Sequence, residues 1–321
     1  MTQYILYLLV AAAVVFLSIK ASKYIDLIDQ KSSLSGAFLG GVLLSAVTSL
    51  PELFTSISAT LLLSKPSLCM GNILGSNIFN LVVLAVMFLL FLKCSHSAKL
   101  AKGHNFVIFY CLVTYAAIAL NMFLPEIFDF HILSLSVTSI VIVIAYALGV
   151  KDLSAEDGTT PSVEESVVEE SSLTMRGIIF RFVLCSIGLV GLSIWLTYLS
   201  DDIATSLGMG AGLAGALFLG VATSLPELSS TVTLFRLGNY NIAVGNIVGS
   251  CLFNMIILTV ADLLWLKGTI YDFADGNVAQ MLGFGAVAMV ATLWSLKGKT
   301  RTSKVISALI VVACYVAFLV L

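Results

Sequence analysis

Charge is what this chain has least of: 11% of its 321 residues are Asp, Glu, Lys or Arg, against 59% that are hydrophobic. A soluble domain carries about 25% charged residues, so a water-soluble fold of this length is excluded. Basic surface is short as well. Sixteen Lys and Arg against eighteen Asp and Glu leave a net charge of −2, too little positive field for a nucleic-acid partner. The six cysteines, Cys69, Cys94, Cys111, Cys185, Cys251 and Cys314, stand singly, with no CxxC pair and no His at ligand spacing. They read as small core residues rather than metal ligands. Three histidines, His96, His104 and His131, fall at the edges of apolar runs, where a solvated role is expected, and none is placed to activate a serine nucleophile. An enzyme is therefore not the reading.

Apolar runs are what the chain has in abundance. Apolar stretches fall at about 3–19, 33–63, 69–92, 105–124, 130–149, 177–199, 203–235, 241–264, 278–296 and 304–321, with Arg181 and Lys304, near the starts of the sixth and tenth, as the basic residues inside them. A bilayer core of ~30 Å takes roughly 20 residues per helical span, so the pattern predicts ten transmembrane helices. The first lacks a basic n-region and a cleavage site before Lys20, and reads as a retained helix. The second and seventh are too long for one straight span, and each contains Thr-Ser-Leu-Pro-Glu-Leu, which predicts broken helices.

Loops after odd-numbered spans collect fourteen of the sixteen basic residues, and the even-numbered loops hold only Lys65 and Lys267. The positive-inside bias then places the odd loops in the cytoplasm and both termini outside, in a cell membrane. One linker is substantial: residues 151–175 carry Asp152, Glu156, Asp157, Glu164, Glu165, Glu169 and Glu170. Lacking the spacing of a calcium-binding EF-hand loop, it reads as a solvated cytoplasmic connector between halves 1–150 and 176–321.

The halves repeat. Thr48-Ser49-Leu50-Pro51-Glu52-Leu53 recurs as Thr223-Ser224-Leu225-Pro226-Glu227-Leu228, and the Gly71-Asn72…Gly75-Ser76…Asn80 pattern recurs as Gly245-Asn246…Gly249-Ser250…Asn254. The copies lie five spans apart, so the second is upside down. Inverted repeats with broken helices at matching positions point to a secondary transporter whose site lies near the midplane. Close helix packing accounts for the glycines of the repeat but not for its glutamates.

Glu52 and Glu227 lie deep in apolar spans, where an uncompensated carboxylate costs several kcal/mol. The Ser49-x-x-Glu52 and Ser224-x-x-Glu227 spacings also fit a capping box at the start of each half-helix. Ser76 and Asn80, like Ser250 and Asn254, share a helix face. Hydroxyls, carboxamides, carbonyls and carboxylates form an all-oxygen set that suits hard cations such as Ca²⁺ and Na⁺. No Walker lysine or phosphate loop is visible, so transport is expected to be ion-coupled, without a bound cofactor. Two carboxylates are neutralised by one Ca²⁺, by two monovalent cations or by protons, which predicts antiport. A cation channel with a two-glutamate ring is the reading from another class. Asp262 lies about two turns beyond Asn254, toward the outer end of its span.

These motifs, each present twice, resemble those of the cation/calcium exchanger superfamily, and the chain looks like a compact prokaryotic-type sodium/calcium exchanger. The resemblance implies an all-α membrane fold of two inverted five-helix repeats with helices two and seven broken at the ion site. It implies Ca²⁺ between Glu52 and Glu227 with carbonyls around Thr48 and Thr223, and Na⁺ sites that add Ser49, Ser76, Asn80, Ser224, Ser250 and Asn254. Inorganic cations and the lipid bilayer are the partners expected, and no protein partner is called for. Two departures stand out. Val47 and Ala222 replace the glycine that many relatives place before Thr-Ser. Asn254 stands where sodium- and potassium-dependent exchangers often have Asp, which argues against potassium dependence and keeps proton/calcium exchange as the alternative to sodium.

Overall fold

The computed structural model describes residues 2–29, 39–92, 100–124, 131–132, 135–154, 174–236, 238–298 and 300–320. The fold is all-helical. Among these residues, β structure is one pairing of two-residue strands, β1 (His131–Ile132) with β2 (Leu135–Ser136). Helices follow the apolar runs because lipid offers no partner to a backbone N–H or C=O, which must be satisfied within the segment. In chain order they are α1 (Thr2–Asp29), the bent pair α2 (Gly40–Thr48) and α3 (Leu50–Leu62), α4 (Pro66–Leu90), α5 (Gly103–Phe123), α6 (Val137–Ser154) and α7 (Met175–Ser206). Then follow the bent pair α8 (Ala211–Thr223) and α9 (Leu225–Arg236), α10 (Tyr240–Leu264), α11 (Gly276–Lys297) and α12 (Arg301–Val320). Among the described residues, seven single helices are long and apolar enough to cross a bilayer and the two bent pairs bring the spans to nine; the shorter apolar stretch Gln3–Leu17 of α1, lying along α7, is the remaining element of the ten-helix layout.

Several boundaries differ from the sequence pattern. α1 continues past Lys20 to Asp29, and α6 begins at Val137 and not at 130. α7 continues through Asp201 and Asp202 to Ser206, so the seventh span begins at Ala211 and not at 203; Asp201 is ion-paired with Lys65 at the α3–α4 turn. α6 continues through Lys151 and Asp152 to Ser154, because nothing in that stretch breaks a helix, and Asp152 accepts a hydrogen bond from the Tyr110 hydroxyl at 2.7 Å. The linker's other acidic residues, together with Lys31, Lys93, Lys99, Lys299, Cys94 and His96, lie outside the described residues.

The two long spans are bent by 48° and 42°. Pro51 and Pro226 lack an N–H, and their rings crowd the carbonyls four residues upstream, those of Val47 and Ala222. Loosened π-helical turns flank the bends at Leu39–Leu44, Ser58–Leu62 and Gly215–Leu219.

α4 and α10 form the centre, with 72% of their apolar windows buried against 17% for α7. The halves interlock: α4 of the first lies against α8 of the second, and α10 against α2. Lipid tails are as apolar as leucine, so such contacts depend on close packing and polar links. Small residues make them possible. A Cβ on Gly75 would fall on Ala216, and one on Gly249 on the backbone of Gly41, the same contact in each repeat. Cys69, Cys111, Cys251 and Cys314 are buried as small core residues, and Cys185 is half-buried.

Candidate ion-binding site

The two bends are tied to each other through their glutamates. Ser49 Oγ donates to Glu227 Oε1 at 3.0 Å, and Ser224 Oγ donates to Glu52 Oε1 at 3.0 Å, an exchange that repeats the symmetry of the sequence. Both glutamates are fully buried. Ser250 Oγ adds a longer contact of 3.4 Å to Glu227 Oε1 and lies 3.5 Å from Thr48 Oγ1. Oε2 of Glu52 and Oε2 of Glu227 have no hydrogen-bond partner among the described residues. An ionised carboxylate buried with one satisfied oxygen is costly unless a cation or proton completes it.

At the first break the capping box is not formed. Ser49 makes no side-chain cap bond to its own half-helix. The span bends instead of ending, so the ladder runs on through the break, with Ser49 N–H to Ser45 O at 3.0 Å and Leu53 N–H to Ser49 O at 3.1 Å. With those donors satisfied, each serine hydroxyl serves the opposite repeat.

Asn72 and Asn246, present in the repeated motif but not picked out among the candidate residues, hold the bends in place. Asn72 Nδ2 donates to Thr55 Oγ1 and Ser56 Oγ on α3, both at 2.9 Å, and its Oδ1 accepts from Thr223 Oγ1 at 3.4 Å. Asn246 Nδ2 donates to Ser230 Oγ at 2.9 Å and Thr231 Oγ1 at 3.4 Å on α9, and its Oδ1 accepts from Thr48 Oγ1 at 3.4 Å. Each asparagine thus joins the C-terminal half of one broken helix to the threonine at the other bend. Their match across the repeat, at a polar position inside an apolar span, was the available signal.

The remaining candidates divide. Ser76 Oγ donates to the Gly220 carbonyl at 3.1 Å and is not bonded to a carboxylate. Asn80 is buried with neither amide atom bonded among the described residues, whereas Asn254 Nδ2 donates to Asn77 Oδ1 at 2.9 Å and leaves its own Oδ1 unbonded. Asp262, expected toward the outer interface, is fully buried and saturated: Ser136 N–H, Ser136 Oγ and Ser139 Oγ donate to Oδ2, and Thr269 Oγ1 and Ile270 N–H donate to Oδ1. It anchors the chain entering α6 to the turn after α10. His104, expected to be solvated, is buried, with Nε2 2.9 Å from Asn241 Oδ1, because α5 and α10 close over it.

Among the described residues, no three His, Cys, Asp or Glu side chains converge. The centre therefore holds two carboxylates among neutral oxygens. Among the described residues, buried oxygens of Glu52, Glu227, Asn80 and Asn254 are left without a hydrogen-bond partner, and carboxylate and carboxamide oxygens are the ligand types that hard cations take.

Ten spans in two inverted sets of five, each with one helix broken beside a buried glutamate, define a multi-pass membrane fold of the cation/calcium exchanger superfamily. The chain belongs to the sodium/calcium exchanger protein family, whose model matches residues 4–150 and 177–321. The inner membrane protein YrbG of Escherichia coli is 26% identical over 260 residues, 80% of this chain and 78% of YrbG. Among solved structures, the H⁺/Ca²⁺ exchanger CAX matches with a TM-score of 0.71 at 16% identity, over 99% of this chain and 85% of that one. The sodium-calcium exchanger NCX_Mj soaked with Na⁺ and Sr²⁺ matches with a TM-score of 0.63 at 18% identity, over 100% and 99%. At these identities the structural likeness establishes the fold.

Proposed function

We propose that this protein is a secondary-active antiporter that moves Ca²⁺ across the membrane in exchange for Na⁺, by alternating access at the site between Glu52 and Glu227. The observation that carries this reading is the pair of fully buried carboxylates, each with one oxygen that no described residue satisfies. One Ca²⁺ neutralises the pair, as do two monovalent cations. Left without either, the pair stays charged in a low-dielectric interior, and a reorientation that closes water off from it is opposed by several kcal/mol. Occupied states cross and unoccupied ones do not, which couples the two fluxes.

In this reading the Thr48 and Thr223 carbonyls, Ser49, Ser224, Ser76 and Ser250, and the Asn80 and Asn254 carboxamides complete the coordination of Ca²⁺ or of Na⁺. Broken helices serve that purpose because a bend carries backbone oxygens to the midplane without exposing them to lipid. The basic loops support an orientation with both termini outside and the 151–175 connector in the cytoplasm of a cell-membrane protein. Proton/calcium exchange is the second reading, favoured by Asn254: with only two carboxylates in the centre, two protons discharge the site as fully as two Na⁺.

The test is radiolabelled Ca²⁺ uptake into proteoliposomes under sodium, potassium and pH gradients imposed one at a time. Sodium-driven uptake that Glu52→Gln and Glu227→Gln each abolish, with the variants still folded and inserted, is the expected result. Uptake driven only by pH transfers the coupling to protons. Uptake independent of every opposing gradient refutes antiport and favours a channel.

A further inference from the structure

The repeat is broken at one polar position beside the site: Asn77 on α4 corresponds to Cys251 on α10. We propose that Asn77 is a positioning residue that fixes the carboxamide of Asn254 with its oxygen turned toward the transported ions, and so makes the two halves of the site unequal. The inference rests on the exchange reading above and deepens it.

The reasoning starts from a backbone carbonyl, which can only accept. The Cys251 carbonyl receives Asn77 Nδ2 at 3.2 Å, so Asn77 is held with its nitrogen on that side and Oδ1 on the other. Oδ1 in turn needs a donor, and Asn254 Nδ2 supplies it at 2.9 Å. The Asn254 oxygen is therefore directed away from Asn77, and it is buried without a hydrogen-bond partner among the described residues. One carbonyl thus sets the polarity of two side chains in sequence, both fully buried. Such a chain holds an acceptor in place before an ion arrives, so no reorganisation accompanies binding.

The other half has no equivalent. Cys251 offers a thiol, a weak donor, and its Sγ lies 3.9 Å from the backbone oxygen of Asn77. Asn80, the repeat mate of Asn254, has neither amide atom bonded among the described residues. Its carboxamide is free to present oxygen or nitrogen, while that of Asn254 is committed to oxygen. Without Asn77, Asn254 is released to turn its NH₂, a poor neighbour for a cation, into the site. A carboxylate at the same position needs no such orientation, because both of its ends accept.

That difference makes a double-variant test. The full-length protein and the variants N77L, N254D, N77L/N254D and E52Q are reconstituted, and the Ca²⁺ concentration for half-maximal uptake is measured under the gradient that drives transport, alongside thermal denaturation. N77L is expected to raise that concentration about tenfold when residue 254 is Asn, on the scale of one hydrogen bond to a charged group, with little change in maximal rate. In the N254D background the same substitution is expected not to raise it, because the carboxylate of N254D would face the Asn77 Oδ1 acceptor and gains from its removal. An equal effect in both backgrounds, or no effect of N77L at all, overturns the proposal, since a merely structural Asn77 acts regardless of residue 254. If N77L fails to fold, N77A with and without N254D provides the same comparison. E52Q separates the two levels: normal transport by E52Q removes the exchange site itself, whereas an inactive E52Q with equal N77L effects removes only the role of Asn77.

Discussion

Asp262 is, among the described residues, the third fully buried carboxylate beside Glu52 and Glu227, and Asp262→Asn separates an anchor from an ion ligand. Five donors converge on it: Ser136 N–H at 3.2 Å, Ser136 Oγ at 2.9 Å and Ser139 Oγ at 2.7 Å on one oxygen, Thr269 Oγ1 at 2.8 Å and Ile270 N–H at 3.0 Å on the other. The amide of Asn is the same shape but replaces one acceptor with a donor. Turned toward Ser136 and Ser139, its NH₂ meets a backbone N–H and two hydroxyls. Turned toward Ile270, it meets one backbone N–H and the Thr269 hydroxyl, which already accepts from Tyr271 N–H at 3.4 Å and can accept again. The second orientation costs less: it strands Ile270 N–H and takes from the Thr269 hydroxyl proton its present acceptor. A lost hydrogen bond to a charged acceptor is about 1.5–3 kcal/mol and a stranded buried N–H about 1–3, so a destabilisation of about 3–5 kcal/mol is expected. The assay is thermal denaturation of the purified protein in detergent, with Ca²⁺ half-saturation measured in liposomes. Asp262→Asn should lower the melting midpoint by several degrees and leave half-saturation where it was. An unchanged melting curve with altered ion dependence would refute the reasoning and make Asp262 part of the ion path.

The hydroxyls that cross between repeats should matter unequally. Glu52 has Ser224 as its side-chain donor, whereas Glu227 has Ser250 at 3.4 Å in addition to Ser49. Ser224→Ala is therefore expected to weaken Ca²⁺ half-saturation by about tenfold or more, and Ser49→Ala by less; equal or reversed effects in the uptake assay would contradict the geometry. Gly75→Ala puts a methyl about 2.5 Å from Ala216 Cα, a backbone atom that cannot step aside without moving α8. Overpacking of about 1–3 kcal/mol should appear as a lower melting midpoint, and an unaltered midpoint would mean that α4 and α8 do not approach as closely as described.

Much of the candidate site is legible in the sequence. Glu52 and Glu227 were singled out because a carboxylate in an apolar span is expensive, and their breaks because proline removes a ladder donor; both inferences need only local chemistry. The Ser49 capping box fails for a reason no local pattern contains. Ser-x-x-Glu spacing presumes a helix that starts, and here the ladder continues through Ser49 while the serine bonds across to Glu227. Asp262 was placed by its distance along α10, but its donors come from the start of α6 and the turn after α10. His104 was judged by the edge of its run, yet its partner Asn241 lies 137 residues away.

By itself, then, the sequence determined the class of environment, the number of spans, the symmetry and the residue types of the candidate ion site, since these follow from hydropathy, helix length and repetition. Tertiary structure decided which oxygen bonds which. The crossed Ser–Glu pairs, the clamps of Asn72 and Asn246, and the polarity passed from the Cys251 carbonyl through Asn77 to Asn254 all join segments far apart in the chain. A hydrogen bond is a matter of a few tenths of an ångström and of which face a donor presents, and only the interlocking of the two halves sets those.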